Sequence, residues 1–135
     1  MTKESLAPST VATPGGAYTH AIAVDQPARL LFIAGQVPVD RDGQLVGKGD
    51  VAAQAKQVYA NITNLVQAAG GTIADVVQFR AYLTSPDLLP AFVAARNEVF
   101  AEAFPDKSYP TSTLLIVTGL ANPDWLVEVE AVAAI

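Results

Sequence analysis

Two carboxylates stand one residue apart near the end of the chain, in the run Val127-Glu128-Val129-Glu130-Ala131. In an extended backbone, side chains alternate between faces, so both glutamates share one face and the valines take the other. A carboxylate so placed can orient or activate water if its surroundings shelter it; the same alternation also describes a solvated outer face. His20 is the only histidine, in an expected strand with no catalytic partner evident, and no Gly-x-Ser-x-Gly elbow exists. It reads as a surface group. Thr111-Ser112-Thr113, after Tyr109-Pro110, places three hydroxyls at the start of a strand. Strand preference explains the threonines, and hydrogen bonding to a small ligand is the functional alternative. Gly15-Gly16, Gly47-Lys48-Gly49 and Gly70-Gly71 fit no phosphate-cradling pattern and read as turns and caps.

Composition narrows the chemistry. There is no cysteine, which removes disulfides, thiolate nucleophiles and sulfur-ligated metals. No paired histidines or Asp-rich loop offers a metal site. The net charge of −5, with lysines and arginines scattered, argues against nucleic acid, since phosphate binding needs a basic stripe. No apolar run approaches the ~20 residues of a membrane span. The first ten residues lack the apolar core of a signal peptide, so a cytoplasmic protein is expected. A hydrophobic fraction of 51% in 135 residues exceeds what one small core absorbs, and predicts a subunit interface.

The elements that must position these groups follow from periodicity. The chain reads as one domain over residues 1–135, with residues 1–15 as an N-terminal arm closed by the turn Pro14-Gly15-Gly16. Tyr18 to Val24 and Arg29 to Ala34 read as strands forming a hairpin. Asp50 caps a helix whose apolar stripe is Val51, Ala55, Val58, Tyr59, Ile62, Leu65, Val66 and Ala69. Gln54, Lys56, Gln57, Asn61, Asn64 and Gln67 fall on its polar face, and Gly70-Gly71 ends it. Val76 to Thr84 alternates, setting Val77, Phe79, Ala81 and Leu83 against Gln78, Arg80, Tyr82 and Thr84. A second helix begins near Leu89 and ends near Phe104-Pro105. Thr111 to Thr118 and Leu126 to Ala134 then read as two strands joined by a turn at Asn122-Pro123-Asp124, with Trp125 closing the hairpin. Two helices on one face of a mixed sheet make an α+β fold.

Several of these segments together resemble a known family. LLFIAGQVPVD (30–40), DVAAQAKQVYANITNLVQAAGG (50–71) and VEVEAVA (127–133) are similar to the RidA/YjgF reactive-intermediate deaminases. So are Tyr18 after the Gly-rich turn, Asn97 in ARNEVF, and Pro110. The resemblance runs from about Gly15 to Ala133. It implies a chorismate-mutase-like subunit assembled as a homotrimer, with small-molecule clefts between subunits. It also implies cofactor-free hydrolysis of imines and enamines, such as 2-aminoacrylate, to 2-keto acids and ammonia. An arginine clamps the substrate carboxylate in such clefts, and a glutamate orients water.

Carried over by position, the water-orienting glutamate is Glu128, and the substrate-binding positions are Tyr18, Ala34, Gly35, Asn97, Ser112 and Leu114. Three of these depart from the family pattern. Ala34 stands for a serine, Leu114 for a cysteine, and Ser112 for the carboxylate-binding arginine. A serine hydroxyl replaces neither the charge nor the bidentate geometry of a guanidinium. Losing such a buried clamp costs ~2–5 kcal/mol, so activity on simple 2-imino acids is expected to be weak or absent. Arg80, on the polar face of its strand, is the candidate replacement cation. A non-catalytic small-molecule binder is the alternative reading, and an endoribonuclease a third that the acidic balance disfavours.

Overall fold

Every second residue of the last strand is sealed from water. Val127, Val129, Ala131 and Ala133 are at most 3% exposed, while Glu128, Glu130 and Val132 stay half-buried on the other face. The computed structural model describes all 135 residues and places this strand, β6 (Val127–Ala134), inside a four-stranded sheet. The chain runs β1 (Thr2–Leu6), β2 (Ala21–Asp25), β3 (Leu30–Gln36), α1 (Val51–Ala68), β4 (Val76–Leu83), α2 (Leu89–Ala103), β5 (Thr111–Ile116) and β6. The sheet order is β3-β6-β4-β5. β4 and β5 are parallel and the other neighbours antiparallel. A parallel pair needs a long crossover, which α2 supplies. Both helices cover one face, so the α+β reading holds.

Local signals set the helices. Asp50 accepts the Ala53 N–H at 3.2 Å and begins α1. Gly70, at φ 92°, ends it: its N–H bonds the Gln67 carbonyl and the Gly71 N–H the Val66 carbonyl, each at 3.0 Å. Only glycine takes that left-handed position without a steric cost. α2 carries Pro90 in its first turn, where a missing N–H does no harm. Between helices and sheet lies an aromatic core of Tyr59, Phe79, Phe92 and Phe100, each at most 1% exposed. The Tyr59 ring meets those of Phe79, Phe92 and Phe100 at 5.6, 6.4 and 5.9 Å. No helix is long and apolar enough to cross a membrane.

Neither expected hairpin exists. β2 pairs not with β3 but with β1, from Thr2 opposite Asp25 to Leu6 opposite Ala21. Part of the expected arm is therefore a strand, although all five of its residues are exposed. With no apolar alternation to betray it, its backbone hydrogen bonds decide its conformation. β5 and β6 are likewise separated by β4, so Trp125 closes no hairpin. Sequence neighbours do not choose partners when a central strand can be buried on both edges. In β4 the register against β6 shifts between Val76 and Gln78, so Val76 is buried and Val77 only partly so. Leu65, placed on the apolar stripe of α1, is 42% exposed.

Gln54 is the largest correction to the predicted polar face of α1. Its side chain is fully buried. It donates to the Gly47 and Asp124 carbonyls at 3.1 and 2.9 Å and accepts from the Leu126 N–H at 2.8 Å. The amide thereby pins two loops to the first turn of α1, next to the residue that begins β6. Its burial is tolerated because its polar atoms find partners.

Candidate functional site

Glu128 leaves β6 on the face away from the helices, opposite Tyr82 on β4. Its side chain lies over β3, where pairing with β6 is irregular between Ile33 and Gln36. Gly35 falls within that irregularity. A Cβ on Gly35 would stand 2.8 Å from Glu128 Cδ and 3.0 Å from Cγ, and closer still to the carboxylate oxygen Oε2. The absence of a side chain at position 35 is what lets the carboxylate rest against the β3 backbone. Glu128 is half-buried as a result.

Beside it, on the same open face, Phe32, Ala34, Gln78, Arg80, Glu130 and Val132 are among the residues around a shallow cavity of ≈ 390 Å³. Arg80 donates from Nη1 to Glu130 Oε1 at 2.8 Å, so it is paired with Glu130 and not with Glu128. Arg80 is exposed and Glu130 is only half-buried, which makes the pair worth at most ~1 kcal/mol. Strand alternation had already set Gln78, Arg80 and Tyr82 on one face. Which glutamate Arg80 meets depended on register.

The remaining candidates lie elsewhere. The Tyr18 N–H bonds the Gly16 carbonyl at 2.9 Å, and the Tyr18 ring stands edge-on to His20 at 5.7 Å. Thr19 bridges to Thr111 and donates to the Pro110 carbonyl at 3.1 Å, so Tyr18 sits at the start of β5. Ser112 pairs with Phe79, and Leu114 with Ala81. Both partners are buried under the helices, so Ser112 and Leu114 share the helix-covered face; Leu114 packs against the core. Asn97 is exposed on α2 and accepts from Arg96 Nη2 at 3.2 Å. α2 is tied to the segment before β5 by Phe100 and Phe104, whose rings meet Tyr109 at 6.1 and 6.3 Å.

The chain thus carries two groups. Ala34, Gly35, Arg80 and Glu128 lie on the open face of the sheet. Tyr18, Asn97 and Ser112 belong to the β5 side and the helix that leads to it. Arg96 escaped the sequence reading, although its position signalled it: it interrupts the apolar stripe of α2 midway between Phe92 and Phe100. Burial pushes the Tyr59 hydroxyl far above its ordinary pKa, with the Arg96 charge pulling the other way. No three His, Cys, Asp or Glu side chains gather closely enough to share a metal ion.

Known proteins carry the same arrangement of chain. A protein-family model described as endoribonuclease L-PSP matches residues 9–135. A RutC family protein of Pyrococcus abyssi is 36% identical over 98% of each chain. The 3-aminoacrylate deaminase RutC of Acinetobacter baylyi is 31% identical, also over 98% of each. Among solved structures, the Rid-family protein YyfB of Yersinia pestis superposes with a TM-score of 0.86 at 34% identity, covering 100% of both chains. The TdcF protein of E. coli with bound serine gives 0.70 at 27% identity, over 78% of this chain and 80% of its own. Matching segments over nearly the full length, on one fold, leave a single conclusion: the chain belongs to the RidA/YjgF family.

Proposed function

We propose that this protein is a cofactor-independent hydrolase of reactive imines or enamines, working in clefts between the subunits of a homotrimer. An enamine first tautomerises to its imine; water then adds to the C=N carbon, and the C–N bond of the adduct breaks to release a carbonyl compound and ammonia. Glu128 orients the attacking water, takes up its proton and passes it to the departing nitrogen. The Gly35 backbone, Tyr18, Asn97 and Ser112 position the substrate. The observation that carries this reading is the Glu128 carboxylate resting on a glycine at a strand irregularity, half-sheltered yet on the open face. The 3-aminoacrylate deaminase among the relatives supports the same chemistry.

The placement of these groups supports assembly. Ser112 faces the helices and Glu128 faces away from them, so one cleft draws on two copies. Phe32, 75% exposed, and Leu30, 53% exposed, stand on β3, with Leu115, 49% exposed, on β5. Burying such surface against neighbours is favourable at ~25 cal/mol per Å².

The second reading is a trimer that binds a small molecule without turning it over. It is favoured by Ser112, which supplies no charge where the family pattern has an arginine. The test is ammonia release from freshly generated imines and enamines by the wild type and Glu128→Gln. Hydrolysis is expected to fall ~10²–10⁴-fold in the variant. Equal turnover by both proteins refutes the role of Glu128. A metabolite retained intact in native mass spectra, with no turnover by the wild type, favours the binder.

A further inference from the structure

His20 is exposed, yet its ring is engaged on two sides. Its Nε2 donates to the Ala12 carbonyl at 2.6 Å, and the ring stands edge-on to that of Tyr18 at 5.7 Å. A carbonyl only accepts, so Nε2 carries the proton. One side chain thus joins the segment that enters the turn at Gly15-Gly16 to the tyrosine that leaves it.

That segment has little else to hold it. Residues 7–13 are all exposed, and Pro14 is only half-buried. Within it the Val11 N–H bonds the Pro8 carbonyl at 3.1 Å, a local turn. The His20–Ala12 bond is the one hydrogen bond that ties residues 7–14 to the rest of the chain. The segment and the imidazole together border a cavity of ≈ 230 Å³. Tyr18 is flanked in turn by Gly16 and His20: a Cβ on Gly16 would lie 3.8 Å from Tyr18 Cδ1 and Cε1. Thr19, between Tyr18 and His20, donates to the Pro110 carbonyl at 3.1 Å and bridges to Thr111, the neighbour of Ser112.

We propose that His20 is a positioning residue, which sets the Tyr18 ring at the β5 side of the cleft by bracing it against the N-terminal segment. This rests on the reading of Tyr18 as a cleft residue of the hydrolase. An edge-on ring pair and a hydrogen bond each bias a conformational equilibrium several-fold. Without them the exposed segment and the Tyr18 ring sample other arrangements. A substrate that needs the held ring then binds with an affinity reduced by the fraction of chains that present it. Once substrate is bound the ring is in place, and chemistry at Glu128 proceeds as before. His20 therefore acts on KM and leaves kcat nearly unchanged.

The test uses the intact assembly labelled with 3-fluorotyrosine, in which the Tyr18 resonance is identified by Tyr18→Phe. His20→Ala should move that resonance toward its free-chain position and leave those of Tyr59, Tyr82 and Tyr109 in place. His20→Phe, which keeps a ring edge but loses the donor, should return part of the shift. Kinetics are read as ammonia release from freshly generated 2-aminoacrylate, at high enzyme concentration to allow for the weak turnover that Ser112 implies. His20→Ala should raise KM at least ~5-fold, with kcat within ~2-fold of wild type. In a Tyr18→Ala background the same change should add less than ~2-fold, because its effect runs through the tyrosine. An unmoved Tyr18 resonance, an unchanged KM, a loss carried by kcat, or an equal KM effect with and without Tyr18 overturns the proposal. So does dissociation of the His20→Ala protein to monomers, which would assign the imidazole to subunit pairing. The fluorine spectrum needs no substrate, so a wild type that releases no ammonia counts against the hydrolase reading, while the resonance still judges the brace.

Discussion

Gly35 and Glu128 are in direct contact, with the space of a missing Cβ occupied by a carboxylate. Gly35→Ala places a methyl group 2.8 Å from Glu128 Cδ, well inside van der Waals distance, so the acid must move off β3. Overpacking of this kind costs ~1–3 kcal/mol. Ammonia release should drop by at least ~10-fold, while circular dichroism stays close to wild type and the thermal midpoint falls by no more than the several degrees that cost implies. Unchanged turnover would separate the position of Glu128 from the chemistry.

Gln54→Leu keeps the volume of a buried side chain but leaves the Gly47 and Asp124 carbonyls and the Leu126 N–H without their partners. Unmet buried polar groups cost ~1–3 kcal/mol each when water cannot reach them. A loss of about 3 kcal/mol or more is expected in urea unfolding, as a lower midpoint at constant slope. A midpoint shift below ~0.5 kcal/mol would show that water enters the gap.

Asp75 joins the exposed strand β1 to the body of the protein through Lys3, at 3.2 Å. Burial opposes its ionisation, but the bond from the Thr72 N–H at 2.8 Å and the Lys3 ammonium outweigh it, so its carboxyl is held below the usual range. A depressed folded pKa contributes stability that is fully present above the unfolded value and is lost as pH falls through the folded one. The wild type should therefore lose this contribution below pH ~4. Asp75→Asn should be less stable at neutral pH and show a shallower acid decline. Parallel stability curves between pH ~7 and ~3 would remove Asp75 from the account.

Phe32 presents three-quarters of its surface to water in a single copy. Phe32→Asp puts charge on the face assigned to subunit contact, and one such change per copy should convert trimers to monomers in analytical ultracentrifugation. Hydrolysis should vanish with assembly, because Ser112 and Glu128 of one copy lie on opposite faces. A stable trimer carrying this substitution would place the interface elsewhere.

Much of the fold is written in local pattern. Asp50 and Gly70-Gly71 mark both ends of α1 because caps satisfy backbone groups within a few residues of themselves. The alternation from Val127 to Ala131 places Glu128 and Glu130 on one face whatever their partners are, and the lack of cysteine removes sulfur chemistry in any fold. The segments shared with the family single out Glu128 and Gly35, which the fold brings into contact.

What pattern could not supply is pairing over distance. β1 was illegible because all its side chains are exposed and only hydrogen bonds to β2 make it a strand. The insertion of β6 between β3 and β4, the meeting of Arg80 with Glu130 and the burial of Gln54 each join residues dozens of positions apart. Arg96 is the sharpest case. Its type and its place on the stripe stand in the sequence, but that its buried Nε finds no acceptor is a property of the packed chain alone. Local periodicity fixes which face a side chain takes; only tertiary packing decides what it meets there.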